Sequence, residues 1–327
     1  MREQPRSILV IDASPFGRSL ALLSVLRVIR AANPYVHITA ATASGTCELL
    51  TACKLADDTI DLGLVQPAHG SAKRLYKLFS RGRRRDYDLV LDFSPRLETQ
   101  MLSRLSLRAR TLTPSRLPRP IEMLLAFGGV RRAHPDANDY ENVLSQMGLT
   151  LKNARFEVTL PDTEHAKFEK QLTRKGSRGG EPVVVLYGAS ASGWPVAAFG
   201  ETGARLANNF GARVVAVDEP QSRVFTEALG ALLPKTALLL SSPHAPELAA
   251  AVARASLVIT DESGIAQLAA EMGAPVIEIA ESNAGTPISN SHRIIQHASR
   301  TSVSPDEVYE LAVEMIQSSR SASLFQS

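Results

Sequence analysis

Five apolar runs punctuate the second half of the chain: PVVVLYGAS (182–190), ARVVAVD (212–218), TALLLSS (236–242), SLVITDES (256–263) and APVIEIAE (274–281). Segments with apolar residues at helical spacing lie between them: WPVAAFGETGARLANNFG (194–211), SRVFTEALGALL (222–233), APELAAAVARA (245–255) and GIAQLAAEMG (264–273). A run such as VVVLY has no polar face to turn to water, so it predicts a strand covered on both sides. Such strands, alternating with helices of this length, predict a parallel sheet with crossover helices. Gly211 and Gly273 read as helix stops, since glycine tolerates the left-handed backbone found there. APVIEIAE reads as the last strand. SPDEVYELAVEMIQ (304–317) reads as a final helix reaching back toward the first half, with Ser304 and Glu307 as a capping box and Pro305 at its first position. The tail SSRSASLFQS is expected to be poorly ordered.

The first half repeats the alternation. SILVID (7–12), HITAAT (37–42), DTIDLGLV (58–65) and YDLVLDF (87–93) read as strands. LALLSVLRVIRAAN (20–33), SGTCELLTACKL (44–55, with Ser44 as N-cap), GSAKRLYKLFSRGRRR (70–85) and RLETQMLSRLSL (96–107) read as helices. The segment 111–149 is irregular until a helix resumes near Asp139. A strand, a helix and a Gly/Ser/Arg loop follow over 156–182, and the domain boundary is placed there.

At 327 residues the chain has room for about two domains. Cys47 and Cys53 read as free, buried thiols of a reducing compartment. No apolar run approaches membrane-spanning length, and the charged start MREQPR reads as no signal peptide, so the expected location is cytoplasmic. Residues 1–160 carry a net charge of +8 and residues 161–327 one of −5. Most of the basic excess reads as solvated helix faces. Its other reading is peripheral contact with the anionic inner face of a membrane. No aromatic residues interleave with Arg81–Arg85, so nucleic acid is not expected as a partner.

The most informative motif is VITDESGIAQLAAEMGAPV. A strand ends in Thr260-Asp261-Glu262-Ser263-Gly264 and a helix begins at once. The first N–H groups of a helix lack internal partners and point outward with a partial positive charge, which suits a diphosphate; a helix merely capped by Ser263 reads equally well. In VVVLYGASASGWP, Gly188 and Gly193 have Walker A spacing, but Trp194 stands where its lysine would be. No G-x-G-x-x-G follows the first strand, so a nicotinamide or flavin site has no local support. The seven histidines show no metal-ligand spacing, and neither a metal nor a cofactor is expected.

Taken together, these segments resemble the heptosyltransferase-like glycosyltransferases of glycosyltransferase family 9. ILVIDASPFGRSLALLSVLRVIRAANP resembles that family's opening strand, Ser-x-x-Gly-Asp turn and helix. YDLVLDFSPRLETQMLSRL resembles its fourth-strand segment. VVVLYGASASGWPVAAFGETGARL resembles the start of its nucleotide domain, and ARASLVITDESGIAQLAAEMGAPVIEI its donor-binding strand, turn and helix. The resemblance covers most of the chain in the same order. It implies an α/β chain of GT-B architecture, with two facing Rossmann-like doubly wound domains. Residues 1–158 would take the acceptor and residues 159–327 the nucleotide sugar.

The departures fall on chemical positions. In the family, the residue after the Gly of the first turn is an aspartate taken as the general base. Here it is Arg18, which holds its proton and offers no acceptor. The basic residue before Trp-Pro is replaced by Ser192 or Gly193. The Asp-Ser-Gly-x-x-His turn is Glu262-Ser263-Gly264-Ile265-Ala266-Gln267. Two functions follow from the resemblance. In the first, the chain is an inverting, metal-independent transferase. It would use an ADP- or other NDP-sugar and a glycan or lipid-linked acceptor of the cell envelope, as in lipopolysaccharide biosynthesis. Ala189, Ser190, Ser192, Glu262, Ser263, Gly264 and Gln267 would line the donor site in the cleft, and Asp218 or Glu219 would bind ribose hydroxyls. Asp12 and Asp92 would be the candidate bases and Arg18 an anion clamp. In the second, the chain is an inactive pseudo-transferase that binds an anion or glycan.

Overall fold

The computed structural model describes residues 5–14, 16–62, 87–93, 109–114, 137–151, 158, 160–188, 193–218, 224–281, 287 and 289–324. The chain divides into two compact units, Met1–Glu157 and Val158–Ser327.

Among the described residues, the first unit is built on a five-stranded parallel sheet. Its strands are β1 (Ser7–Ile11), β2 (His37–Thr42), β3 (Asp58–Asp61), β4 (Leu89–Asp92) and β5 (Arg110–Leu112), in the order β3-β2-β1-β4-β5. The central strands are the most apolar; Ile8, Leu9, Val10 and Ile11 are all buried. A single helical turn, α1 (Phe16–Ser19), leads into α2 (Ala21–Ala32), which buries Leu22, Leu23, Val25, Leu26 and Ile29. Helix α3 (Ser44–Ala52) starts at Ser44 itself, and Ala43 is its N-cap without a side-chain bond, so Ser44 does not cap. Helix α4 (Ala137–Ser145) packs against α2 and buries Tyr140, Val143 and Leu144. Cys47 is a buried thiol lifted to about 11 by burial, and Cys53 is half-buried. The helices expected over 70–85 and 96–107 lie outside the described residues; the strand expected at the start of 156–182 falls largely outside them, and the described Val158 and Leu160 are not in a strand.

The second unit opens with α5 (Asp162–Arg174) and then winds a six-stranded parallel sheet. Its strands are β6 (Val183–Tyr187), β7 (Arg213–Val217), β8 (Leu238–Leu240), β9 (Leu257–Thr260), β10 (Val276–Glu281) and β11 (His292–His297). They lie in the order β11-β10-β9-β6-β7-β8. This is the doubly wound 3-2-1-4-5-6 sheet with β6 as the first strand. The connecting helices are α6 (Val196–Phe210), α7 (Val224–Gly230), α8 (Ala245–Arg254) and α9 (Ser263–Glu271). Helix α6 presses Gly203 so close to the sheet that a Cβ there would meet Leu186 and Leu233 at 2.8 Å. It stops at Gly211, whose φ of 62° is left-handed.

Three expectations change here. APVIEIAE is not the last strand, because β11 pairs alongside it from Val276↔His292 to Glu281↔His297. The final helix, α10 (Pro305–Leu324), runs seven residues beyond 317 (324 − 317), into the tail expected to be poorly ordered. Ser304 does cap it, accepting from the Asp306 N–H at 3.2 Å, but Glu307 pairs with His297 instead of closing the box. The described part of α10 packs on α6 of its own unit: Val308, Ala312, Met315 and Ile316 join the core of Leu186, Phe199 and Leu206. Arg205 of α6 bonds Asp306 at 2.6 Å and lies 4.0 Å from the Tyr309 ring centre. Among the described residues, no helix is long and apolar enough to cross a membrane.

Candidate functional site

In a doubly wound sheet the chain leaves the central strand in one direction and returns on its other side. Loops part at the C-terminal ends of those two strands, and ligands bind in the gap. In the first unit the gap lies between β1 and β4, and both carboxylates expected as bases stand there. Asp92 ends β4 beside Ile11 of β1, and Asp12 follows β1. The Asp12 carboxylate accepts the Ser14 N–H at 2.9 Å and the Tyr140 hydroxyl of α4 at 2.8 Å. Tyr140 is held in turn by the Phe93 ring, 4.7 Å away centre to centre. Burial lifts the Asp12 carboxyl from 3.8 to about 6; the bonds from Ser14 and Tyr140 oppose the rise and repulsion from Asp92 adds to it.

That value would suit a base. Asp12 and Asp92 are both 0% exposed, and a base must touch the proton it removes. Asp12 is instead placed to fold the loop that leads into α1. Arg18 lies in α1, and its side chain is outside the described residues.

In the second unit the gap lies between β6 and β9. A bond joins its walls: the Asp261 carboxylate, just past β9, accepts the Trp194 N–H at 2.6 Å. The Trp194 indole N–H donates to the Val303 carbonyl at 3.0 Å, which ties the start of α6 to the approach to α10. Ala189, Ser190, Ser192 and Glu219 lie outside the described residues.

Helix α9 begins at this gap. Its N-cap is Glu262, not Ser263: the Glu262 side chain accepts the Gly264 N–H at 3.3 Å. Ser263 is the first helical residue, and its hydroxyl donates to Glu278 of β10 at 2.6 Å. The other Glu278 oxygen lies 3.0 Å from Nε2 of His292 at the start of β11. Glu262, Ser263 and Gly264 are therefore together at the helix start. Gln267 is one turn further on and bonds Glu271 at 2.7 Å. Asp218 is on the far side of β6, after β7, and is buried. Both its oxygens are bonded by Thr226, from its N–H at 3.1 Å and from its hydroxyl, so it holds the first turn of α7.

Sequence reasoning missed Asp261, Trp194, Glu278, His292 and Tyr140 as parts of these gaps. Glu278 left a signal: it is a carboxylate in the middle of the apolar strand VIEIAE, where an unpaired charge is costly.

The sequence model of Glycosyltransferase family 9 (heptosyltransferase) matches residues 75–314. No curated protein sequence matches the chain significantly. Among solved structures, a family 9 glycosyl transferase from Veillonella parvula superposes with a TM-score of 0.74 at 16% identity, covering 96% of this chain and 97% of that one. The ADP-heptose lipopolysaccharide heptosyltransferase II of Escherichia coli gives 0.70 at 15% identity, covering 96% and 99%. The E. coli heptosyltransferase WaaC, with ADP-2-deoxy-2-fluoro heptose, gives 0.68 at 16% identity, covering 94% and 99%. At these identities the likeness is one of fold, and it agrees with the GT-B class read from the sequence.

Proposed function

The chain belongs to glycosyltransferase family 9, and from that premise we propose that it moves a sugar from a nucleotide-sugar donor to a cell-envelope glycan or lipid-linked acceptor. The observation that carries this reading is the gap between β6 and β9. It is the switch point of a 3-2-1-4-5-6 sheet, and it opens on the start of α9 at Ser263 and Gly264. The donor diphosphate would lie against that helix end. Its growing charge as the leaving group would be met there by N–H groups and the helix dipole, without a metal. The acceptor oxygen would attack the anomeric carbon from the opposite side as the bond to the diphosphate breaks, inverting the configuration. Arg18 would hold an anionic group of the acceptor. The +8 charge of residues 1–160 supports contact of the acceptor-side domain with the anionic cytoplasmic face of a membrane.

A second reading has its own support. Asp12 and Asp92 are sealed from solvent, and arginine accepts no proton. With no base among these three, the chain would be a pseudo-transferase that binds nucleotide sugar or glycan without turnover. One experiment separates the readings. A thermal-shift screen of nucleotides and nucleotide sugars identifies the donor, because a ligand stabilises in proportion to the logarithm of its concentration over Kd. Release of nucleoside diphosphate from that donor, with acceptor present, supports the transferase. Stabilisation without release supports the binding protein, and no stabilisation by any compound refutes both as donor-site readings.

A further inference from the structure

We propose that Glu278 and His292 are positioning residues for the donor site: a buried acid–imidazole pair that sets the first turn of α9 through the Ser263 hydroxyl. The inference rests on the donor site proposed above. Glu278 and His292 lie on neighbouring parallel strands and are 6% and 1% exposed. Placing two ionisable groups there costs several kcal/mol unless each is paired and hydrogen-bonded. The third member, Ser263, is exposed yet sends its hydroxyl inward to the pair at 2.6 Å.

The direction of each bond follows from the charge. Burial pushes the Glu278 carboxyl up, but the bonds from His292 and Ser263 and the charges of His292 and Arg300 outweigh it and hold it below the usual range. The carboxylate is thus ionised and only accepts, so Ser263 is the donor. A hydroxyl has one hydrogen, and here it is used inside the protein. Ser263 therefore offers a bound diphosphate no hydrogen bond from its side chain. Its contribution is positional: it fixes the residue whose backbone opens the helix. The diphosphate is left to the first backbone N–H groups: those of Ile265 and Ala266 bond the Glu262 carbonyl and that of Gly264 the Glu262 side chain, so the donor would displace that carboxylate to reach Gly264, whose aim depends on the anchor beneath. A charge-assisted bond of this kind contributes about 1.5–3 kcal/mol, or roughly 10- to 100-fold in a local equilibrium.

The test uses the full chain with Ser263→Ala, Ser263→Thr, Glu278→Gln and the double variant Ser263→Ala/Glu278→Gln. Two measurements are made: amide hydrogen exchange across 263–266, and calorimetric binding of ADP and of UDP. The anchor predicts about 10- to 100-fold faster exchange of the Gly264, Ile265 and Ala266 N–H groups in Ser263→Ala. It predicts a matching loss of nucleotide affinity, recovery of both in Ser263→Thr, and a double variant no worse than its worse single. Unchanged exchange in Ser263→Ala, a variant at an exposed position, overturns the proposal even if Glu278→Gln fails to fold. So does an additive double variant. If the parent binds neither ADP nor UDP, the donor reading fails for those nucleotides, and exchange alone still decides whether the anchor exists.

Discussion

Replacing Asp12 by asparagine should stabilise the protein at neutral pH and leave it unchanged in acid. The Asp12 carboxyl is fully buried, and its pKa rises from 3.8 unfolded to about 6 folded. A rise of about two units corresponds to about 3 kcal/mol between its two charge states. The sign follows from the proton count. Between those values the folded chain binds the proton more tightly than the unfolded chain. The stabilisation from the protonated acid is therefore complete below about pH 4 and is lost as pH rises through 6. Asparagine is neutral throughout. Its oxygen can accept the Ser14 N–H, and its amide can donate to the Tyr140 hydroxyl. Urea unfolding of both proteins from pH 4 to 8, followed by circular dichroism, measures the difference. The only tryptophan, Trp194, lies in the second unit and reports that unit separately by fluorescence. Asp12→Asn is expected to be more stable by up to about 3 kcal/mol at pH 8, with the gap closing near pH 4. Equal stability at pH 8, or a gap that does not depend on pH, would refute the reasoning.

Three further outcomes are expected. In Gly188→Ala a Cβ would meet the Phe225 ring at 2.3 Å, and that ring is held edge-on to Phe199; denaturant unfolding should show a loss of about 1–3 kcal/mol from overpacking. Glu262→Ala removes the side-chain cap of α9, and the same measurement should show a loss of about 1 kcal/mol without ligand. Arg18→Ala should weaken acceptor binding and make it less sensitive to salt, and Arg18→Asp should raise donor turnover if a base is the missing part. Unchanged binding and turnover in both Arg18 variants would make the arginine a bystander.

What the sequence disclosed depended on whether its signal was local. Runs buried on both faces, such as VVVLY and VVAV, announce themselves because every residue must be apolar. The edge strand HRIIQH escaped because it is buried only in part and carries an arginine and two histidines. The end of α10 escaped for a related reason: SSRSASL has no apolar stripe to mark it. At α3 the sequence points to Ser44 as the cap, and at α9 a Ser263 cap is one of two readings, yet each serine is the first helical residue. Propensity places serine near a helix start but does not fix the position to one residue. At the candidate site, the strand-end carboxylates and the Ser-Gly turn were legible as types in context. The chain from Ser263 through Glu278 to His292 was not, because its members are 15 and 14 residues apart and meet only where α9 packs on β10 and β10 pairs with β11.

Trp194 gives up its backbone hydrogen to a residue 67 positions ahead and its indole hydrogen to one 109 positions ahead. During synthesis both partners are missing when it leaves the ribosome. At about 5–20 residues per second, the second arrives roughly 5–20 s later. The neighbouring strand β6, apolar along its whole length, has no β9 beside it until the first partner arrives, about 3–13 s after Trp194, and the indole has no carbonyl until the second. The gap between β6 and β9 is thus among the last parts of this unit to be finished. A nascent chain halted before Val303 would hold all six strands of the sheet but an unfastened site, and it would depend on chaperones for longer than its strand count alone suggests.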